Sequence, residues 1–263
     1  MSTEINLLFS IITPTHKRKV GLQRAVDSLL AQKYTHWEMI VINDSPEDAS
    51  YTSFLEGNDD DRIRYYINDK NEGVNYSRNR ALDLVSNKSE WIIFLDDDDY
   101  FIPDALSTFK ALTDSHKNTS WFLTNRSKEN GQSLTFFPEN NNFYNYAWDY
   151  LISKRCNGDA THCIHKEVVG KKRFSTKIKQ GEEWFFFYQI GLREKIFYHN
   201  HNSTISGGYD KESGLNFRKR TRRERFRSLG KLVSEGRMVN ISHQITFWIY
   251  ICLRIIKTII KPE

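Results

Sequence analysis

The first 95 residues alternate between short apolar segments and amphipathic segments, and this alternation limits the chain to few folds. Strands are predicted over Leu7–Thr13, Trp37–Asn43, Ile63–Asn68 and Trp91–Leu95, and helices over Val20–Gln32 and Val74–Ser86. Strands joined by helices of this length predict an α/β fold with a mostly parallel, doubly wound sheet flanked by helices. Ligands of such sheets bind beyond the carboxyl ends of the strands.

The pattern is looser beyond residue 104. Helices are predicted over Asp104–Ser115, Tyr146–Ser153 and Glu182–Leu192, strands over Trp121–Asn125, Thr161–His165 and Ile196–His199, and an exposed loop or hairpin over the Asn-rich stretch 126–145. These assignments rest on apolar spacing and on turn residues.

Composition and charge distinguish a body from a tail. Hydrophobic residues make up 39% of the 263 residues and aromatic residues 14%, which excludes disordered, collagen-like and polytopic membrane proteins. The net charge of +5 is uneven, because residues 216–263 contain 12 Lys/Arg and 3 Asp/Glu while residues 1–215 contain 26 and 30. An acidic body and a basic tail are expected to contact different partners.

The cysteines and the N-terminus indicate a reducing compartment. Cys156, Cys163 and Cys252 form neither an even framework nor a C-x-x-C spacing, so we expect free thiols without a disulfide scaffold or a zinc site. Glu4 precedes a short apolar run that has no small-residue cleavage site, so no signal peptide is expected. The expected location is the cytoplasm.

Four consecutive aspartates, Asp96 to Asp99, follow the predicted strand Trp91–Leu95 directly. Adjacent carboxylates repel one another, and a cation bound by two or more of their oxygens removes that repulsion. Hard oxygen ligands with open positions suit Mg²⁺ or Mn²⁺ that carries phosphates. The alternative is a solvated acidic turn that caps the helix beginning near Pro103.

Six blocks of the sequence resemble the inverting glycosyltransferases of family 2, which have the GT-A fold. The blocks are SIITPTHKR at 10–18, VINDSPED at 41–48, NEGVNYSRNRAL at 71–82, FLDDDDYFIPDAL at 94–106, QGEEW at 180–184 and HNSTIS at 201–206. They occur in the family's order. The resemblance implies a Rossmann-like GT-A catalytic domain over 1–215, with a nucleotide-sugar half at about 1–103, an acceptor half at about 104–215 and a helical appendage at 216–263.

The resemblance assigns the first loop to the nucleotide. Thr13, Pro14 and Thr15 would surround the nucleoside, and Arg18 would lie near the phosphates. His16 stands where the family often has an aromatic residue that stacks on the base. The implied donor is a nucleotide-diphosphate sugar, and a UDP-sugar is expected.

Further donor contacts follow by motif. Asp44 would accept the imide N–H of uracil, because a carboxylate is a hydrogen-bond acceptor, and Arg78 would face the base or the diphosphate. Asp96-x-Asp98 aligns with the family's D-x-D, so Asp98 would bind the metal directly while Asp96 or Asp97 contacts the ribose. A turn-forming role for Asp44 and a surface position for Arg78 remain the alternatives.

The resemblance also implies a general base and a second metal ligand. The family's base is the Asp of an E-D pair that opens a helix, and Glu182-Glu183 is the local equivalent. Glu183 aligns with that Asp and is the expected base that deprotonates the acceptor hydroxyl, with Glu182 as the alternative. His201 occupies a position that completes the metal shell in some relatives, and His199 is the competing candidate.

The tail combines a basic run with an amphipathic segment. Phe217–Lys231 contains eight Lys/Arg, and no nucleic-acid recognition motif accompanies them. After Ser242, apolar residues share one face of a predicted helix at positions 245, 248, 249, 252, 253, 256, 259 and 260, and positions 250, 254, 257 and 261 line the other. The pattern favours a helix in the interface of an anionic membrane. Packing on the catalytic domain, or in a homo-oligomer, is the alternative.

The expected protein is therefore a metal-dependent glycosyltransferase at the inner face of the cytoplasmic membrane. Its expected acceptor is a membrane-linked glycan, such as a lipopolysaccharide, O-antigen or capsule precursor. Two other functions compete with this one. A sugar nucleotidyltransferase is disfavoured because SIITPTHKR lacks a Gly-rich signature. A non-catalytic membrane-associated protein that binds a nucleotide sugar or a glycan would explain the Glu-for-Asp change at Glu183.

Overall fold

A nine-stranded sheet organises the computed structural model, which describes residues 6–51, 59–177, 183–207 and 221–260. The strands are β1 Leu8–Thr15, β2 Trp37–Asn43, β3 Ile63–Ile67, β4 Ser89–Phe94, β5 Asp99–Phe101, β6 Trp121–Lys128, β7 Thr135–Phe136, β8 Asn142–Tyr144, β9 Asn157–Gly158, β10 Ala160–His165 and β11 Ile196–Ser206. The helices are α1 Lys19–Leu30, α2 Val74–Leu84, α3 Ala105–Ser115, α4 Lys166–Val169, α5 Glu183–Gly191, α6 Arg222–Met238 and α7 Ile245–Ile260, with a 3-10 turn at Ala49–Tyr51 and a π-helix at Tyr146–Ile152.

The predicted parallel sheet occurs in the first half of the chain. The strand order is β3-β2-β1-β4-β10-β6-β11-β5, with β8 paired to β11 and a separate β7-β9 pair. Strands β3, β2, β1 and β4 are parallel. The apolar sequences of β1 and β2 are buried on both faces, as is typical of a parallel sheet, whereas β3, at the end of the sheet, is only partly buried. The prediction of an α/β sheet flanked by helices is confirmed.

The second half of the sheet is mixed, which the prediction of a mostly parallel sheet did not include. Strand β10 lies antiparallel between β4 and β6, and β11 pairs with β6 in parallel but with β5 and β8 antiparallel. Strand β11 continues to Ser206, well past the predicted end at His199, because its second part pairs with the short strand β5.

Two apolar layers cover the sheet. One contains α1 and α3, with Leu22, Val26 and Phe109 fully buried. The other contains α2, α5 and the π-helix, and it continues into the tail through Leu232 of α6 and Phe247 of α7, both fully buried. The tail helices therefore complete the same core as the central sheet.

The packing of α7 differs from the face predicted by periodicity. Phe247, Ile251 and Thr258 are buried, and they lie between the two predicted faces rather than on either. The apolar face remains largely outside, with Ile245 75% exposed and Ile260 74% exposed. The alternative of a tail packed on the catalytic domain is therefore confirmed for one strip of the helix. No helix among the described ranges is long and apolar enough to cross a bilayer.

Candidate active site

The four aspartates lie at the carboxyl end of β4, where the sheet geometry predicts a ligand site. Asp96, Asp97 and Asp98 form the turn after β4, and Asp99 begins β5. Helix α1 approaches this turn closely at Gly21, where a Cβ atom would lie 2.3 Å from the backbone oxygen of Asp97. Only glycine allows this approach, because any side chain at this position would push α1 away from the aspartate turn.

Asp97 is buried against the first loop. Thr15 Oγ1 donates to Asp97 Oδ2 at 2.8 Å, and the backbone N–H of His16 donates to the same oxygen at 3.2 Å. Burial raises the pKa of Asp97 to about 7, although the Arg18 charge and the Thr15 hydrogen bond oppose the shift. Two predicted nucleotide contacts, Thr15 and His16, are therefore fixed by the aspartate turn itself.

Arg18 lies between two aspartates. Its Nη1 is 3.2 Å from Asp97 Oδ1 and 2.8 Å from Asp98 Oδ2. Burial opposes the charge of Arg18, but Asp97 and Asp98 outweigh it and raise the pKa of the guanidinium. Burial, together with repulsion from Asp96, raises the pKa of Asp98. The Arg18 guanidinium thus lies where two neighbouring carboxylates favour a positive charge.

The aspartates fit a divalent metal ion. Asp96, Asp98 and Asp99 each offer a carboxylate oxygen, and these oxygens all lie within 4.8 Å of one another. Several carboxylate oxygens in one turn are the hard donor set that Mg²⁺ and Mn²⁺ prefer. Each of the three also holds an arginine at less than 3 Å, since Asp96 contacts Arg78, Asp98 contacts Arg18 and Asp99 contacts Arg126. Direct ligation of a metal by Asp98 stays a prediction.

Arg78 connects the aspartate turn to the expected base. Its Nη2 donates to Asp96 Oδ1 at 2.6 Å, and its Nη1 donates to Glu183 Oε1 at 3.2 Å. The Arg78 side chain is only 8% exposed, so the surface position left open by the sequence is wrong. Burial disfavours its charge, but Asp96 and Glu183 outweigh that effect and raise the pKa of Arg78. Burial would raise the pKa of Asp96, yet Arg78 holds it below its ordinary value.

Asp99 has a partner that sequence reasoning missed. Arg126 Nη2 lies 2.5 Å from Asp99 Oδ1, and its Nη1 lies 3.3 Å from Asp159 Oδ2. Burial raises the pKa of Asp99 well above its ordinary value despite the Arg126 charge. Arg126 begins the stretch 126–145 that was predicted as an exposed loop or hairpin, so no periodic signal pointed to its burial in β6. The ion pair of Asp99 thus connects the edge strand β5 to β6.

Asp44 organises the loop before α2. Its Oδ1 accepts from Asn68 Nδ2 at 2.7 Å and from the Glu72 N–H at 2.8 Å, and its Oδ2 accepts from the Gly73 N–H at 2.7 Å. Gly73 has a φ of +94°, a backbone conformation that favours glycine. The structure supports a loop-ordering role for Asp44. Its contact with uracil stays a prediction.

The remaining first-loop residues differ in their surroundings. Thr13 and Pro14 are buried in β1, and Thr13 Oγ1 has no hydrogen-bond partner within the described ranges. His16 is exposed, with Nε2 2.7 Å from Asn71 Nδ2, as a residue that stacks on a base requires. Tyr51 was not predicted at the site. Its hydroxyl bonds Thr15 Oγ1 at 2.8 Å and accepts from the Arg18 N–H at 2.9 Å.

Two candidates lie away from this group. His201 Nε2 is 3.3 Å from Thr108 Oγ1 and its Nδ1 is 3.0 Å from Ser203 Oγ, so its ring contacts α3 and is not part of the metal-binding group found among the described residues. His199 Nδ1 bonds Asn141 at 2.7 Å. A metal role for either histidine stays a prediction. Glu182 lies outside the described residues.

Comparison with known proteins identifies the family of the chain. The model of the family "Glycosyl transferase family 2" matches residues 10–178. The chain is 32% identical over 207 residues to the GalNAc(5)-diNAcBac-PP-undecaprenol beta-1,3-glucosyltransferase of Campylobacter jejuni, covering 72% of this chain and 61% of that protein. It is 34% identical over 99 residues to the Escherichia coli UDP-Glc:alpha-D-GlcNAc-diphosphoundecaprenol beta-1,3-glucosyltransferase WfgD, covering 38% of each.

The solved structures agree on the fold. Residues 1–349 of Staphylococcus aureus TarS, in complex with UDP-GlcNAc, match with a TM-score of 0.66 at 18% identity, covering 87% of this chain and 66% of that one. This likeness confirms the GT-A fold. The chain spans about three fifths of the Campylobacter relative and less than two fifths of the Escherichia coli relative. Since the family model covers well over half of the chain, this protein belongs to glycosyl transferase family 2.

Proposed function

We propose that the protein is an inverting glycosyltransferase that moves a hexose from a UDP-sugar to a hydroxyl of a lipid-linked glycan. The observation that carries this proposal is the Arg78 bridge, since one buried guanidinium contacts both the D-x-D residue Asp96 and the expected base Glu183. Donor and acceptor chemistry would therefore meet at one point. The names of two relatives, which use diphosphoundecaprenol-linked acceptors, support the acceptor class.

The donor diphosphate would lie at the aspartate turn. Asp98, with help from Asp96, would hold Mn²⁺ or Mg²⁺, which when bound neutralises charge on the departing diphosphate. Arg18 would leave the aspartates and contact the phosphates, because a guanidinium suits bidentate phosphate binding. Asp97 stays with Thr15 and holds the first loop in place for the nucleoside.

Glu183 would act on the acceptor. Arg78 contacts its Oε1, so we assign the acceptor hydroxyl to Oε2. The proton of that hydroxyl moves to the carboxylate as the oxygen attacks the anomeric carbon, and the diphosphate leaves from the opposite side. Arg78 holds the carboxylate in its orientation during this step. The configuration inverts because a single displacement occurs, without a covalent enzyme intermediate.

Substitution of Glu183 tests the proposal. Glu183→Gln keeps the size of the side chain and removes its basicity, so transfer is expected to fall by about 10²–10⁴-fold, while UDP binding measured by calorimetry is retained. The matched control is Glu167→Gln, since Glu167 has a 90% exposed side chain outside the site. Turnover close to wild type in Glu183→Gln would remove Glu183 from the role and make Glu182 the next candidate. UDP-sugar binding without transfer in the wild type would instead favour a non-catalytic binding protein.

The exposed face of α7 supports membrane attachment. Trp248, Cys252, Ile256 and Ile259 are exposed along one side of the helix, and the exposed cations of α6, such as Arg223 and Arg227, precede it in the chain. At 16 residues, α7 is about 24 Å long, shorter than the roughly 30 Å core of a bilayer. An amphipathic helix of this kind lies in the membrane interface. We therefore place the protein at the cytoplasmic, inner face of the membrane, next to a lipid-linked acceptor.

Point variants test the attachment better than truncation, because α6 and α7 belong to the core. Ile256→Glu is expected to reduce sedimentation with phosphatidylglycerol vesicles, while Leu30→Glu, at an exposed apolar position on α1, is the matched control. Equal sedimentation of both variants and the wild type would contradict membrane binding by α7. A change of oligomeric state in Ile256→Glu alone would assign the same face to contact between two copies of the chain.

A further inference from the structure

Helix α7 reaches the neighbourhood of the expected base. Trp184, the residue after Glu183, packs against Tyr250 of α7 with ring centroids 4.6 Å apart. Tyr188, one turn further along α5, hydrogen-bonds Thr246 of α7 at 2.7 Å. Through these two contacts α7 forms a wall beside the expected base.

Three cations meet at this wall. The Arg254 guanidinium lies over the rings of Trp184, at 5.6 Å, and Tyr250, at 5.8 Å. Lys154 Nζ lies 5.8 Å from the centroid of that same Tyr250 ring. Lys257 follows Arg254 by three residues, so it shares the same side of the helix. We call Lys154, Arg254 and Lys257 the cationic group.

The local backbone holds Lys154 in this position. It follows the π-helix, a form of helix that is rare in proteins and that often occurs at functional sites. Its φ is +56°, a left-handed conformation that is uncommon for a residue with a Cβ atom. The turn lays the lysine across Tyr150 and Tyr250, each at 5.8 Å.

The electrostatics of the cationic group favour an anion. Partial burial, and then the charges of Lys257 and Arg254, lower the pKa of Lys154, so the three cations repel one another. An anion with more than one charge would relieve this repulsion. The expected base is adjacent in the chain, because Glu183 precedes Trp184, whose ring lies 4.6 Å from that of Tyr250.

The position of the cationic group matches the shape of a lipid-linked sugar. On α7, Arg254 and Lys257 lie between the buried strip of Phe247 and Ile251 and the exposed apolar face. A molecule whose sugar contacts Glu183 and whose lipid follows the apolar face must pass the cationic group. The part that joins sugar to lipid in the acceptors named for two relatives is a diphosphate.

We propose that Lys154, Arg254 and Lys257 bind the diphosphate of the lipid-linked acceptor, so that the tail is a substrate-binding element as well as an attachment to the membrane. This inference rests on the proposed function. The cationic group is separate from the donor site, whose phosphate-binding arginine is Arg18. The tail thereby selects an acceptor that carries a diphosphate over a neutral glycan of the same sugar.

Two soluble acceptors test this proposal. One is N-acetylglucosamine joined through a diphosphate to a short alkyl chain, and the other is the same sugar as a neutral alkyl glycoside. Lys257→Gln and Lys154→Gln are each expected to raise KM for the diphosphate acceptor about tenfold, with kcat nearly unchanged, because each removes one charge-assisted contact. KM for the neutral glycoside is expected to stay constant. Calorimetric titration with the diphosphate compound gives a readout that needs no turnover.

Matched variants separate charge from structure. Lys257→Arg retains the cation and is expected to keep a low KM, while Lys117→Gln removes an exposed lysine elsewhere and is expected to change nothing. An equal effect of Lys257→Gln on both acceptors, or no effect on either, would overturn the proposal. Lost sedimentation with phosphatidylglycerol vesicles at unchanged KM would also overturn it, and would assign the cations to lipid headgroups. If the wild type transfers to neither acceptor, the proposed function itself fails.

Discussion

Two glycines of α6 provide a test of how the tail packs. An ideal Cβ atom at Gly236 would lie 2.7 Å from Phe247 Cζ, and a Cβ atom at Gly230 would meet nothing within 4 Å. Carbon atoms pack favourably at about 3.5–4.0 Å, so the methyl of Gly236→Ala overlaps the ring. Phe247 is fully buried and packs near Tyr188 of α5 at 6.1 Å between centroids. The ring cannot move without disturbing the core.

The two substitutions are expected to change the free energy of unfolding in opposite directions. Alanine is favoured over glycine in a helix by about 0.8–1 kcal/mol, so Gly230→Ala is expected to increase the free energy of unfolding by up to that amount. At Gly236 the same gain is opposed by overpacking, which typically costs about 1–3 kcal/mol. The two variants are therefore expected to differ by about 1–3 kcal/mol, with Gly236→Ala the less stable.

Urea unfolding followed by tryptophan fluorescence measures this difference. Phe247→Leu removes the outer ring atoms, so in that background Gly236→Ala is expected to lose most of its penalty, which a double-mutant cycle would show. Equal stabilisation by Gly230→Ala and Gly236→Ala would refute the packing of α6 on α7. It would also remove the argument for the cationic group, because Phe247 positions the helix that carries Arg254.

Three further predictions concern the body of the protein. His162 packs on Phe187 and accepts a hydrogen bond from Trp121 Nε1 at 3.1 Å, and burial lowers its pKa to about 3. Below pH 6.5 the unfolded state therefore binds more protons than the folded state, so acidification to pH 5 should lower the free energy of unfolding by up to about 2 kcal/mol. The variant His162→Gln should not show this loss. Without nucleotide, Arg18→Ala is expected to bind Mn²⁺ more tightly, as measured by electron paramagnetic resonance, because the guanidinium competes with the ion for Asp98. The same variant is expected to bind UDP more weakly, because it lacks the proposed phosphate contact. Unchanged Mn²⁺ affinity would contradict this. Asp44→Ala leaves two backbone donors without their acceptor. It should lower the free energy of unfolding by about 1–3 kcal/mol for each donor that becomes buried and unpaired, which thermal unfolding without nucleotide measures. A loss seen only when UDP is present would show a purely ligand-binding role.

The strands and the location of the site were predictable from the sequence. Apolar segments that end in polar loops predicted the bounds of β1, β2, β3 and β4 to within two residues, because a strand buried in a parallel sheet has a continuous apolar signature. The carboxyl ends of those strands meet at one edge of the sheet, so the aspartates and the first loop could be placed together. The six ordered blocks then identified the family, which the family model confirms.

The partners of the charged residues were not predictable, because they are distant in the chain. Arg78 and Glu183 are 105 residues apart, and Arg18 and Asp98 are 80 apart. No local pattern encodes such a pair, since each residue alone is consistent with a solvated surface charge. Arg126 and Tyr51 were missed for the same reason, as their segments carry little periodic signal.

The tail shows most clearly where local information ends. Periodicity determined that residues 245–260 form an amphipathic helix with an apolar face and a cationic side. Which strip of that helix becomes buried depended on the shape of the surface that it meets, here Tyr188, Trp184 and Gly236. That surface exists only after the sheet and α5 have assembled. The docking of α7 left the apolar face exposed and brought Arg254 over the ring of Trp184, next to the expected base. Packing is a property of two surfaces, and a sequence segment specifies only one of them.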